Sequence, residues 1–210
     1  YTNNGFYLPK MILIDASGCR VPIVGKDTIR VYGVKADFSF NTTTLCDSGY
    51  ISFHALSKSN DIIQGYLWNF GDGKSSTQEN PVHAYSATGN YISSLKVTTQ
   101  TGCTDTMQNP TPIKIVASPK ISISSNNGVC IPAAITFSGQ IVKPDSSALK
   151  WNWNFGNGKT SSQQNPAAQI YLGAGAYTVK AIATNSSGCK DSAIKIIQTY
   201  PLPPVKTNAD

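Results

Sequence analysis

The chain has 210 residues, 13% of them charged and 40% hydrophobic, with a formal net charge of +6 and a pI near 9.0. Ser, Thr, Asn, Gly and Tyr are abundant and long Leu/Ala/Glu/Lys runs are absent, which argues against a helical fold and for a β protein of extracellular type. The lysines are scattered without a run of five basic residues, and no stretch reaches the ~18 apolar residues of a membrane span, so neither nucleic acid nor membrane insertion is indicated.

From the N-terminus, Tyr1, Gly5, Tyr7, Gly18 and Cys19 form a spaced set that returns as Tyr85, Gly89, Tyr91, Gly102 and Cys103, and again as Tyr171, Gly175, Tyr177, Gly188 and Cys189. Residues 1–34 therefore read as the C-terminal half of a module. Residues 35–118 and 119–200 read as complete modules, close to the smallest size that buries a useful core, about 60–100 residues. Residues 201–210 read as a linker and the start of a next module, so the chain is expected to be a window on a longer array. Tyr1 opens without a signal peptide's charged and apolar regions, and targeting signals are expected outside this window.

Within a module, Ala36–Phe40 and Lys120–Ile123 alternate apolar with polar residues, as do Tyr50–Phe53 and Ala134–Phe137, which predicts half-buried strands. Tyr66, Trp68 and Phe70, matched by Trp151, Trp153 and Phe155, alternate along a third strand, so the tryptophans are expected to anchor the core. The bracket Gly71-Asp72-Gly73, repeated as Gly156-Asn157-Gly158, supplies residues that tolerate positive φ and predicts a tight reversal. Asp72 is the natural metal-ligand candidate, but its counterpart Asn157 keeps the turn and loses the charge, which favours a structural role. Strands over Asn90–Thr98 and Ala176–Ile182 follow, then Ile113–Val116 and Ala193–Ile197. Six or seven short strands with turns between them indicate a two-sheet sandwich.

Cys46 and Cys103 occupy the same two places in their module as Cys130 and Cys189 do in the next. The economical reading is one disulfide per module, Cys46–Cys103 and Cys130–Cys189, each restricting the unfolded chain by about 4 kcal/mol. Cys19 is then unpaired in this window, with a partner expected upstream. No CxxC pair or Cys/His cluster suggests zinc, and disulfides place the protein outside the cytosol.

The ordered set Trp68-Asn69-Phe70-Gly71-Asp72-Gly73, Asn80-Pro81-Val82-His83-Ala84-Tyr85, Gly89-Asn90-Tyr91 and the closing Gly102-Cys103 resembles a PKD domain. The resemblance covers both complete modules and the initial half, and implies tandem immunoglobulin-like β-sandwiches in a linear extracellular array. The variant ending in Gly-Cys is similar to tandem modules of very large Bacteroidota surface proteins, including gliding-motility-associated proteins exported by the type IX system. The third module departs from the pattern at Asn157, at Gln169 in place of His83, and by one extra residue before Tyr171.

Nothing nominates catalysis or a cofactor. His54 and His83 are the only histidines, and Ser138 and Gln169 stand at their places in the third module. The carboxylates are too scattered for a glycosidase pair. The expected role is a non-catalytic structural or adhesive segment, a stalk, spacer or filament part at the cell surface, with neighbouring modules of the same chain as partners. The alternative is a polysaccharide- or protein-binding accessory module of a secreted enzyme, for which Tyr32, Tyr50 and Tyr200 are the candidate surface aromatics. Surface glycans, other cell-surface proteins and self-association into filaments are further expected partners. Asp27-Thr28, Asp105-Thr106 and Asp191-Ser192, each followed by an apolar or small residue, resemble a bacterial O-glycosylation signal, making Thr28, Thr106 and Ser192 candidates. Asn41-Thr42-Thr43 and Asn185-Ser186-Ser187 match the N-linked sequon.

Overall fold

The computed structural model describes residues 3–126, 130–143 and 148–203. Tyr1 and residues 204–210, which include most of the expected terminal linker, lie outside the described residues. All regular structure among the described residues is β. The described residues divide into two compact units, those up to 44 with 48–115, and 45–47 with those from 116 on.

In the first unit, strands Ser75–Ser76, Ile63–Asn69, Ser94–Thr99 and Thr104–Gln108 lie in that order in one antiparallel sheet. A second sheet runs Val82–Tyr85, Gly49–Ala55, Phe38–Phe40. Alternation places one face of each strand inward, and the inward residues Ile51, Phe53, Trp68, Leu95 and Val97 have no exposed surface. Ring centroids of Phe38 and Phe53 lie 5.1 and 5.4 Å from Trp68, so the two sheets close over the indole. The result is an immunoglobulin-like sandwich. A third set has the order Gly89–Tyr91, Ile113–Val116, Thr44–Cys46, of which Leu45, Cys46 and Val116 belong to the second unit.

The second unit repeats the design. Its four-stranded sheet is Thr160–Ser161, Lys150–Asn154, Gly175–Thr184, Lys190–Thr199, and it encloses Ile135, Phe137, Trp153, Phe155, Val179 and Ala181. Where one strand is expected over Asn90–Thr98, the first unit breaks into Gly89–Tyr91 and Ser94–Thr99, whereas Gly175–Thr184 runs unbroken. The expected strand Ala134–Phe137 is also divided: Ala133–Ile135 pairs Gln169–Tyr171, and Phe137–Lys143 pairs Lys120–Ser125. Thr136 marks the crossing, its N–H donating to Asn126 Oδ1 at 2.9 Å. Periodicity alone cannot see such a switch, because the inward alternation is maintained through it.

Residues 3–34 carry the back half of the same plan. Gly5–Tyr7 pairs Ile29–Val31 in the register that joins Gly89–Tyr91 to Ile113–Ile115, and Lys10–Ile14 pairs Arg20–Val24 as Ser94–Thr99 pairs Thr104–Gln108. Met11 and Leu13 take the places of Leu95 and Val97, yet they are 58% and 50% exposed. The described residues supply no facing sheet for them.

Candidate functional site

Three devices recur in register. The first is the glycine turn. Phe70 N–H donates to Lys74 O and Phe155 N–H to Lys159 O, both at 3.1 Å, closing the same loop twice. Asn69 and Asn154 cap it by accepting from Gly71 and Gly156 N–H at 2.8 and 2.9 Å. Gly71 and Gly156 have φ of 84° and 73°, and a Cβ there would stand 2.6 and 2.8 Å from the carbonyl oxygens of Ile92 and Thr178. Both the conformation and the close backbone approach require glycine. Gly73 and Gly158 share the left-handed conformation, at φ 86° and 81°.

The aromatics around this turn are fixed by their polar ends. Trp68 and Trp153 each donate their indole N–H at 2.8 Å, to Gln78 O and Gln163 O. Tyr85 and Tyr171 donate to Phe70 O and Phe155 O at 2.8 and 2.9 Å, tying the next strand to the turn. Burial and the neighbouring Tyr177 push the Tyr171 hydroxyl up to about 12, and burial raises Tyr85 as well. Trp151 lies stacked 6.1 Å from Trp153 as expected, whereas its counterpart Tyr66 is only half-buried.

Asp72 is not an open metal ligand. Its Oδ2 lies 2.9 Å from His83 Nε2 and its Oδ1 accepts from Lys74 N–H at 3.1 Å. Burial works against the carboxylate, but the hydrogen bonds from His83 and Lys74 hold its pKa below the usual range. His83 stacks on Phe70 with centroids 4.0 Å apart. In the second unit the neutral Asn157 accepts from Lys159 N–H and donates to Ile170 O, so the hydrogen bonding survives without charge. Among the described residues there is no group of three His, Cys, Asp or Glu side chains that could hold a metal. His54 is exposed on the strand Gly49–Ala55.

The second device was not anticipated from sequence. Asp105 and Asp191 each accept a hydrogen bond from the first strand of their unit, Ala36 N–H at 2.8 Å and Ile121 N–H at 2.9 Å. The signal was present, since both follow a Gly-Cys pair by two positions, while Val21 stands there in the first half module. These aspartates thus have a structural reason to precede Thr106 and Ser192. Thr28, Thr106 and Ser192 are all exposed. A similar anchor, Asp61, accepts from the Thr101 side chain and backbone N–H at 2.6 and 2.9 Å, which lowers its pKa to about 2.

The third device is the closing turn and its cysteine. Asp15, Thr99 and Asn185 each accept from the N–H of the cysteine four residues on, at 2.9, 3.1 and 2.9 Å. Cys189 is bonded to Cys46, 143 residues away, with Cα atoms 5.6 Å apart. The expected Cys46–Cys103 and Cys130–Cys189 bonds are therefore absent, and Cys103 and Cys130, like Cys19, are free thiols. The reason is topological. The closing turn lies at the entry end of its own module, beside Ala36 or Ile121. Cys46 lies at the exit end, where Asp47 N–H donates to Val116 O at 2.8 Å and Asp47 Oδ1 accepts from Ser118 N–H. The following repeat returns to that point: Asn185 Nδ2 donates to Ala117 O at 3.1 Å, and Cys189 Sγ stands 3.9 Å from Val116 O.

A profile of the PKD domain matches residues 35–115 and 116–199. The chain belongs to the PKD domain family. Collagenase ColA of Bacillus cereus is 30% identical over 127 residues, 55% of this chain and 13% of that protein. Pre-pro-metalloprotease PrtV of Vibrio cholerae is 30% identical over 109 residues, 52% of this chain and 12% of that protein. This PKD chain thus spans about one-eighth of the curated relatives it matches. Among solved structures, the PKD1 domain of Vibrio cholerae metalloprotease PrtV is 32% identical, covering 40% of this chain and 98% of that one at a TM-score of 0.35. Of the candidate surface aromatics on these PKD repeats, Tyr50 and Tyr200 are 72% and 55% exposed and Tyr32 is half-buried.

Proposed function

We propose that this stretch is a non-catalytic, load-bearing spacer of a large extracellular protein, a stalk or adhesin segment of the kind that Bacteroidota carry on the cell surface through type IX export. The observation that carries the reading is the Cys46–Cys189 bond, which joins a residue from the sequence of one repeat to the sequence of the next. A ligand-binding module has no need of such a link between repeats; a segment that must resist extension does. A disulfide also fits an oxidising compartment outside the cytosol. The Gly-Cys closings at Cys19, Cys103 and Cys189 support the surface-protein assignment.

A second reading is favoured by the relatives, several of which are named collagenases. There the modules would assist an enzyme by binding its insoluble substrate. Two measurements separate the readings. Protease shaving of intact native cells, with peptides identified by mass spectrometry, should release peptides from residues 35–199. Pull-down of the 210-residue protein with fibrillar collagen, chitin and cellulose should leave it in the supernatant. Saturable micromolar binding to any of these, lost on Tyr50→Ala, would overturn the spacer reading.

A further inference from the structure

We infer that Cys103 and Cys130 are each one half of a staple identical to Cys46–Cys189, completed by the adjoining repeats of the same longer polypeptide. This does not depend on whether the array serves as spacer or binding module.

The argument rests on equivalence at atomic detail. Cys130 occupies the place of Cys46: Ile131 N–H donates to Tyr200 O at 2.9 Å as Asp47 N–H donates to Val116 O at 2.8 Å, and Cys130 bridges Tyr200 directly. Tyr200 and Val116 hold the same position, because Gly175 pairs Thr199 as Gly89 pairs Ile115. The exit end of the second unit therefore presents a cysteine beside a strand terminus, as the exit end of the preceding repeat does. Cys103 in turn occupies the place of Cys189. Thr99 N–H donates to Cys103 O at 2.9 Å and Gly102 N–H to Thr99 O at 3.0 Å, matching Asn185 N–H to Cys189 O at 2.9 Å and Gly188 N–H to Asn185 O at 3.0 Å.

The first unit also offers the space that the staple's other strand would fill. In the second unit, Leu45–Asp47 lies beside Val116–Ser118. The residue equivalent to Val116 in the first half module is Tyr32, because Gly5 pairs Val31 as Gly89 pairs Ile115. Val31, Tyr32, Gly33 and Val34 line an open groove, and Ile29–Val31 pairs only Gly5–Tyr7 among the described residues. A Cys46-type strand from the preceding repeat fits that edge, which brings its sulfur to the entry end of the first unit, where Cys103 is.

Each staple forms by thiol–disulfide exchange. One cysteine thiolate attacks an oxidising protein disulfide, giving a mixed disulfide; the second thiolate displaces it, so the new bond forms as the oxidant leaves with two thiols, having taken up two electrons and two protons. The partner of Cys103 stands about 143 residues N-terminal to it and that of Cys130 about 143 residues C-terminal, by the separation of the observed pair. Such loops overlap, because Cys130 precedes Cys189 in the chain.

The test is non-reducing peptide mapping of the full natural polypeptide, with free thiols alkylated before digestion. The expected result is Cys103 and Cys130 each in a linked pair with a cysteine of the flanking repeats, and Cys103→Ser exposing one new alkylatable thiol, that of the preceding repeat's Cys46-type residue. Recovery of Cys103 and Cys130 as alkylated thiols, a bond between them, or a Cys46–Cys103 bond would overturn the inference. Non-reducing electrophoresis should show a monomer; a disulfide-linked ladder of copies would overturn completion within one chain.

Discussion

Removing the observed staple should destabilise one unit and spare the other. With the first unit folded, Thr43 and Lys114 are held together by a 2.8 Å hydrogen bond, which fixes where the chain leaves toward Cys46 and toward Val116. The staple then closes the 73-residue stretch between Val116 and Cys189 in the unfolded second unit. Chain entropy for a loop of that length gives about 4 kcal/mol at 25 °C, inside the range of about 2–5 kcal/mol for native disulfides. For a unit of this size that is a fall in Tm on the order of 15–30 °C. Cys46→Ser, Cys189→Ser and the double variant should show the same loss, because each removes one bond, and Cys103→Ser in the 210-residue protein should show none. Hydrogen exchange read by mass spectrometry separates the units: strands Lys150–Asn154 and Gly175–Thr184 should lose protection while Ile63–Asn69 and Ser94–Thr99 keep theirs. If Cys46→Ser instead unprotects the first unit, or Cys103→Ser is as damaging as Cys46→Ser, the cross-repeat topology is wrong.

Trp68→Ala and Trp153→Ala, at fully buried indoles that each donate a 2.8 Å hydrogen bond, should cost about 3–5 kcal/mol in their own unit by urea denaturation; an unchanged midpoint would show the indole is not a core anchor. Gly139→Ala places a Cβ 2.3 Å from the Trp151 ring, so the second unit should lose about 1–3 kcal/mol, while Ala55, at the equivalent position in the first unit, already carries that atom; a neutral Tm would contradict the packing. Asp61, with its carboxyl pKa lowered to about 2 chiefly by the Thr101 hydroxyl and then its N–H, contributes stability that is present above the unfolded value near 3.8 and lost as pH falls toward 2. Carboxyl NMR titration should show this, with Thr101→Val moving the midpoint upward; a native midpoint near 4 would deny the hydrogen bonds.

Much of the fold is legible in the chain because its causes are local. Trp68 and Phe70 announce a buried face by alternating, and the glycines of Gly71-Asp72-Gly73 announce a reversal by their conformational range. The reading of Asp72 as structural follows from Asn157 alone, and the structure supplies the partners, His83 and Lys74 N–H. What the sequence could not convey is which end of a module a residue occupies. Cys46 and Cys103 recur in register whether the bond lies within a repeat or across two, so spacing is silent between the pairings. The crossing of sheets at Thr136 and the aspartate contacts to Ala36 and Ile121 are equally non-local. Exposed Met11 and Leu13 show the converse: their apolar character belongs to a core position that the Leu95 and Val97 equivalence identifies and that the described residues do not cover.

If the array bears load as proposed, the bond across repeats sets the path that tension takes. In a disulfide confined to one module, tension enters through the strands and is resisted by their hydrogen bonds until it reaches the cross-link. With Cys46 joined to Cys189, tension arriving at Cys46 has a covalent route that bypasses residues 47–188. Trp68, Trp153 and both glycine turns lie inside the bypassed loop, so in the proposed spacer only the strands Phe38–Phe40 and Lys190–Thr199, which lie outside it, would carry tension through the folded cores. Small domains of about 80 residues could then serve in such a chain without being individually strong. In that reading the fold places the sulfurs and the Cys46–Cys189 bond carries the tension between them.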